Sequence, residues 1–345
     1  MREPVNRPRR SSPRLASARP LPEPVALALS IAGVAGIRTV GPDRWTARLA
    51  PRGRPAAIRL EDDWLVIEAA ASRALDHLIQ QDGTPALVAA HVLLPAGAKL
   101  VMPGGDRPLE ENSPCPRLLA RAEIPAAASD DTAHERLTAR VRLCCNDLRR
   151  ALSVKTSDVR SPIPHGPVGP APESGAGEDR DPTGNPDLLE LLATAGWTAS
   201  PGGDSAIRVT LANPAGGFRQ AAITATPSSA CLYVDLAPDP GEAVAEPHLS
   251  AVAGLLLRAA GTIRLARPFS RRGGAELGFE VRLPAPYGAE DLDLALSALS
   301  VAAAQTAGEV EALARDRGLC RSYVAQFATR SVRSGSGYLS DVFRY

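Results

Sequence analysis

The chain repeats itself, and that repetition limits what it can fold into. Ala86-Leu-Val-Ala-Ala-His-Val-Leu-Leu-Pro-Ala-Gly97 matches Ser250-Ala-Val-Ala-Gly-Leu-Leu-Leu-Arg-Ala-Ala-Gly261. After each match comes a short basic and apolar strand with a proline, Pro103 or Pro268. Leu118-Leu-Ala-Arg-Ala-Glu-Ile-Pro-Ala126 then matches Leu277-Gly-Phe-Glu-Val-Arg-Leu-Pro-Ala285. Upstream, Trp45-Thr-Ala-Arg-Leu49 matches Ile207-Arg-Val-Thr-Leu211. The matches share one order and an offset of roughly 160 residues, the signature of a duplicated supersecondary unit.

The second copy is the easier to read. Asn185-Pro186 followed by Asp187-Leu-Leu-Glu-Leu-Leu-Ala-Thr-Ala-Gly196 predicts a helix capped by Asn, with Pro in the first turn and Gly196 at its end. Ile207, Val209 and Leu211 alternate with polar residues, as do Leu232, Val234 and Leu236. A further strand is expected around residues 218–226. Period two with one polar face predicts antiparallel strands covered on one side. A helix over 246–260, a strand over 262–267 and a strand through Leu277, Phe279, Val281 and Leu283 follow. In that last strand Glu280 and Arg282 are expected to face solvent or a partner. Leu292, Leu296, Leu299, Ala303, Val310 and Leu313 stripe a long final helix.

The first copy has the same order. A helix is expected at 25–36, strands at 44–50, 55–61 and 64–70, helical segments at 73–81 and 85–94, and strands at 98–102 and 117–124. Asp62-Asp63 predicts a tight turn. Thr132-Ala-His-Glu135 reads as a capping box, and Leu137, Val141, Leu148 and Leu152 stripe the last helix. The fold class is therefore α+β: two tandem α-β-β-β-α-β-β-α units with antiparallel sheets packed on helices. Their expected limits are 23–153 and 185–317. A basic tail at 1–22 precedes them, a Pro- and Gly-rich linker at 154–184 separates them, and a tail at 318–345 follows. The arginine and proline content of 1–22 and 154–184 predicts disorder, since little apolar surface is there to offset ordering entropy.

That element order resembles the type III secretion chaperone-like fold, shared with YbjN-like proteins. The resemblance rests on the order of elements alone, so it carries over no functional residue. It implies a curved antiparallel sheet on helices, dimerisation, and apolar surface that holds another protein's extended segment. With two units in one chain, it also implies an internal pseudo-dimer in place of a homodimer.

Composition excludes several classes. Net charge is +1 over 345 residues, so the whole-molecule field favours neither nucleic acid nor an acidic membrane. No apolar run reaches the roughly 20 residues of a membrane span. Cys115, Cys144, Cys145, Cys231 and Cys320 make no C-x-x-C pair and no disulfide framework, which favours a reducing, cytoplasmic setting. The basic start followed by the apolar run from Val25 imitates a signal peptide, but Pro20, Pro22 and Pro24 interrupt it.

Catalytic constellations are missing from the sequence. His77, His91, His134, His165 and His248 are scattered, and His91 sits on an apolar helical face that suits core better than metal. Glu61-Asp62-Asp63 reads as a hairpin turn. Pro103-Gly-Gly-Asp106 and Pro201-Gly-Gly-Asp204 lack a phosphate-loop lysine, and Gly335-Ser336-Gly337 is too short for a nucleophile elbow. The only lysines, Lys99 and Lys155, suggest nothing by position. No enzyme, metal or cofactor is expected. The expected function is a protein-binding or chaperone-like adaptor for another protein or peptide segment. Phe327, Tyr338, Phe343 and Tyr345 in the aromatic C-terminal tail are its candidate anchors. The alternative is a regulatory protein that contacts nucleic acid through the arginines of residues 2–19.

Overall fold

In the computed structural model, the described residues are 20–51, 53–72, 74–75, 88, 90–91, 94–102, 118–126, 131–154, 186–202, 206–212, 218–226, 228–236, 248–271 and 276–330. In chain order the elements are α1 (Glu23–Ile31), β1 (Ala35–Gly41), β2 (Arg44–Arg48), β3 (Pro55–Glu61), β4 (Trp64–Ala70), β5 (Lys99–Val101), β6 (Leu119–Pro125) and α2 (Asp131–Leu152). Then come α3 (Pro186–Thr194), β7 (Ala199–Pro201), β8 (Ile207–Ala212), β9 (Phe218–Thr226), β10 (Ser229–Asp235), α4 (His248–Ala259), β11 (Arg267–Arg271), β12 (Glu276–Pro284), α5 (Ala289–Arg315) and α6 (Arg317–Arg330). The fold is α+β. Its two six-stranded sheets run β1-β2-β3-β4-β6-β5 and β7-β8-β9-β10-β12-β11, the same order twice.

Matched hydrogen bonds repeat as well. Ala71 N donates to Leu118 O at 3.1 Å, and Leu236 N donates to Leu277 O at 2.8 Å. Ala126 N donates to Asp63 O at 2.7 Å, and Ala285 N donates to Ser228 O at 2.9 Å. The chain forms two compact units, residues 1–67 with 124–142, and residues 68–123 with 143–345. The second unit thus holds β5 as well as the whole of the second repeat. The expected linker lies outside the described residues from 155 onward.

In the first unit, α1 buries Val25, Ala28 and Leu29. It is shorter than the expected 25–36, because Gly33 adopts φ +74° and turns the chain. Gly33 N donates to Ser30 O and Val34 N to Leu29 O, the paired bonds of a Schellman ending. Gly196 closes α3 in the same way, with φ +81°, as its sequence position predicts. Asp62 and Asp63 both have positive φ, at 46° and 62°, the backbone of a two-residue type I′ hairpin turn. Trp45 and Ala47 of β2 and Ala56 and Ile58 of β3 fill the core face. β1 is an edge strand that the sequence reading missed, and so is the three-residue β7. Exposure alternates only over the first four residues of β1, none of its side chains is fully buried, and bulges interrupt its pairing with β2, so it carries little period-two signal.

In the second unit, α5 packs on β8, β9, β10 and β12 through the expected stripe, including Leu292, Leu296, Leu299, Val310 and Leu313. Asp291 accepts a bond from the Gly288 N–H at its N-terminus. Leu277, Phe279 and Val281 are buried as expected, while Leu283 is intermediate. The strand expected over 262–267 is instead a turn, with Leu265 at φ 59°, and β11 begins only at Arg267. The C-terminal stretch is helical through Arg330, with Cys320 and Tyr323 buried.

Phe279 is fully buried, so Phe279→Ala should cost about 3–5 kcal/mol. Thermal melting should fall by at least about 6 °C in a chain of this size. Replacing Asp62-Asp63 by Asn-Gly should raise stability by roughly 1 kcal/mol, because glycine and asparagine adopt these angles with less strain. Urea unfolding of that variant, with an unchanged slope, is the check.

Candidate functional site

The densest chemistry in the described residues is a layer of charge inside the second unit. β5 pairs with β6 so that Lys99 stands opposite Arg121, and β11 pairs with β12 so that Arg267 stands opposite Glu280. These are matching positions of the two repeats. Glu68, Lys99, Arg121, Glu123, Arg267 and Glu280 are all buried, and Glu280 and Arg267 each keep only 1% of their surface exposed. This corrects the expectation that Glu280 faces solvent or a partner. Its face of the strand is polar, but that face is covered and furnished with counter-charges.

Each basic side chain crosses to the turn before the other. Lys99 Nζ donates to Ile263 O at 2.6 Å and Ala266 O at 3.5 Å, carbonyls four and one residues before Arg267. Arg267 Nη1 donates to Pro95 O at 3.0 Å and Ala98 O at 3.4 Å, carbonyls four and one residues before Lys99. It also reaches Leu94 O at 3.3 Å. The exchange is reciprocal, as at a two-fold axis where residue i meets j and j meets i.

Carboxylates complete each half. Lys99 Nζ lies 2.7 Å from Glu123, whose other contacts are Leu265 N at 2.7 Å, Arg121 at 3.4 Å and Arg264 at 3.6 Å. Arg121 holds Glu68 at 2.6 Å and Gly261 O at 2.5 Å. Glu280 is surrounded by Arg267 at 2.7 Å, Arg271 at 3.0 Å and Arg282 at 3.0 Å. Arg271 also lies over the Tyr233 ring, 4.3 Å from its centroid, and Phe269 stands edge-on to Tyr233.

Burial alone would raise the Glu280 carboxyl, but Arg267, Arg282 and Arg271 outweigh it and hold it at about 2. Burial lowers Lys99 to about 8, against the opposing pull of Glu123. Burial raises the Cys145 thiol to about 11, and burial with Glu280 raises Cys231. Raised thiols hold less thiolate and are less nucleophilic at neutral pH. His91 is buried and accepts the Leu100 N–H at its Nε2, 3.0 Å away, which suits a neutral core imidazole. No cluster of three metal-ligating side chains forms among the described residues. The arrangement spends its charges on one another and on backbone carbonyls.

The sequence reading missed Lys99, Arg267 and their acids. The available signal was a basic residue opening each matched short strand. Of the aromatic candidates, Phe327 lies on α6, while Tyr338, Phe343 and Tyr345 lie outside the described residues. No helix among the described residues is long and apolar enough to cross a membrane. Family models, curated proteins and solved structures contain no match to the chain.

Three outcomes follow from this geometry. Arg267→Met should destabilise by about 3–5 kcal/mol, because Glu280 and three carbonyls lose a buried donor; urea unfolding measures it. Glu280 falls from 4.5 unfolded to about 2 folded, so it stabilises the fold at neutral pH by roughly 3 kcal/mol. That contribution is complete above pH 4.5 and lost as pH falls through 2. Acid unfolding of Glu280→Gln should lack this step. In protein carrying ¹³C-labelled lysine, the Lys99 Cε resonance should titrate near pH 8.

Proposed function

We propose that the chain is a non-catalytic protein-binding adaptor whose two repeats form an internal pseudo-dimer. The observation that carries the binding role is a set of exposed apolar side chains on a helix and on an edge strand of the first unit. Leu27 and Ile31 stand one turn apart on α1 and are 59% and 53% exposed, and Val40 on edge strand β1 is 61% exposed. Single exposed apolar residues are ordinary, but a helical pair and an open edge within one unit suit a partner segment. The reciprocal Lys99 and Arg267 contacts support the pseudo-dimer, since an isologous interface between copies has this form. An antiparallel sheet packed on helices in each repeat is what kinship with type III secretion chaperone-like proteins implies, with β1 and β7 each adding a strand to the expected order. The free thiols of Cys144, Cys145, Cys231 and Cys320 suit a reducing cytoplasm.

The test compares proteins retained from native lysate by the full chain and by Leu27→Ser/Ile31→Ser, with mass spectrometric readout. The adaptor reading expects unchanged melting and loss of retained partners from the variant. A second variant ending at Arg330 removes Tyr338, Phe343 and Tyr345 and asks whether the aromatic tail contributes anchors. Retained sets identical across all three proteins would overturn the reading. Salt-sensitive retention of DNA, lost on deleting residues 2–19, would favour the nucleic-acid alternative.

A further inference from the structure

The outer face of the first unit's strands is unusually basic. Arg38 of β1 stands opposite Thr46 of β2, so it shares a face with Arg44 and Arg48, two residues to either side of Thr46. Arg44 in turn stands opposite Arg59 of β3. The opposite face carries Trp45, Ala47, Ala56 and Ile58, all buried. Arg38, Arg44 and Arg48 are exposed. Arg59 is bound to Glu61, and no acid pairs with Arg38, Arg44 or Arg48 among the described residues. Arg44 and Arg48 are about 13 Å apart along a strand rising roughly 3.3 Å per residue.

Beside this face runs β1, the seven-residue edge of its sheet. An edge presents a row of backbone donors and acceptors. The matching edge of the second sheet, β7, has only three residues and ends at Pro201, so it offers little to an incoming strand. Among the described residues no strand pairs with the outer side of β1, whose pairing with β2 is interrupted by bulges.

We propose that β1 and the arginine face beside it bind an extended acidic segment of a partner protein. This rests on the adaptor reading and adds a surface and a partner chemistry. A strand laid along β1 would put every second side chain on the arginine face, so acids at alternate positions would meet Arg38 and the two β2 arginines. A polypeptide uses both features, the edge and the charges. A nucleic acid would use only the charges.

The test uses the full chain and a fluorescein-labelled peptide of about ten residues alternating Thr and Glu. Fluorescence anisotropy reads binding, and hydrogen exchange reads the β1 amides. The expected result is binding that weakens with salt and slowed exchange in β1. Arg38→Glu/Arg44→Glu/Arg48→Glu should lose at least about tenfold in affinity. These positions are exposed, so melting should hold; if that variant misfolds, Arg38→Gln/Arg48→Gln replaces it, with a smaller loss expected. Equal binding of a Thr–Lys peptide, binding without β1 protection, or unchanged affinity in the variants overturns the proposal. Preference for an oligothymidylate over the Thr–Glu peptide also overturns it and assigns the face to nucleic acid. If the acidic peptide fails while Leu27→Ser/Ile31→Ser still loses partners, the adaptor stands and only this surface is lost.

Discussion

A buried cation that finds its partners in the opposite turn organises the second unit. Lys99 pairs with Glu123 and Arg267 with Glu280 within their own strand pairs. Each also donates to carbonyls just ahead of the other, so neither turn is complete alone. Desolvating charges at such a site is costly, and isolated buried ion pairs are often replaceable by apolar residues. The carboxylates of Glu123 and Glu280, together with the carbonyls, offset that cost and give the contact a direction that apolar packing lacks.

The repeats are not symmetric in charge. Arg121-Ala122-Glu123 on β6 corresponds to Glu280-Val281-Arg282 on β12, the same pattern with its signs exchanged. Around Glu280 three guanidinium groups share one carboxylate, whereas Arg121 divides its bonds between Glu68, Glu123 and a backbone carbonyl. Duplicated backbone geometry therefore tolerates different arrangements of side-chain charge, provided each buried group is paired.

Much of the fold was legible because local chemistry and tertiary packing agree. Gly196 ends its helix, Asp62-Asp63 turns its hairpin, and the α5 stripe faces its sheet, each for a reason visible within a few residues. Strands β1 and β7 were not legible, since edges lack the burial alternation that reveals a strand. The candidate site was harder. Alternation correctly placed Phe279 inside, yet the same rule turned Glu280 toward solvent or a partner, because it cannot see that the second face is covered by the chain itself. Lys99 looked anonymous because its partners at Ile263 and Ala266 are backbone atoms distant in sequence, which no side-chain motif encodes.

The arginines of the outer face also bear on how the molecule behaves in a crowd. A long open edge invites a second copy to pair with it, the first step toward aggregation. Two such edges aligned antiparallel would bring both sets of guanidinium groups together, and like charges oppose that approach. The repulsion weakens as salt rises and the screening length shortens. Like charge on the face of Arg38, Arg44 and Arg48 therefore opposes edge-to-edge pairing of two copies, and does so most at low salt.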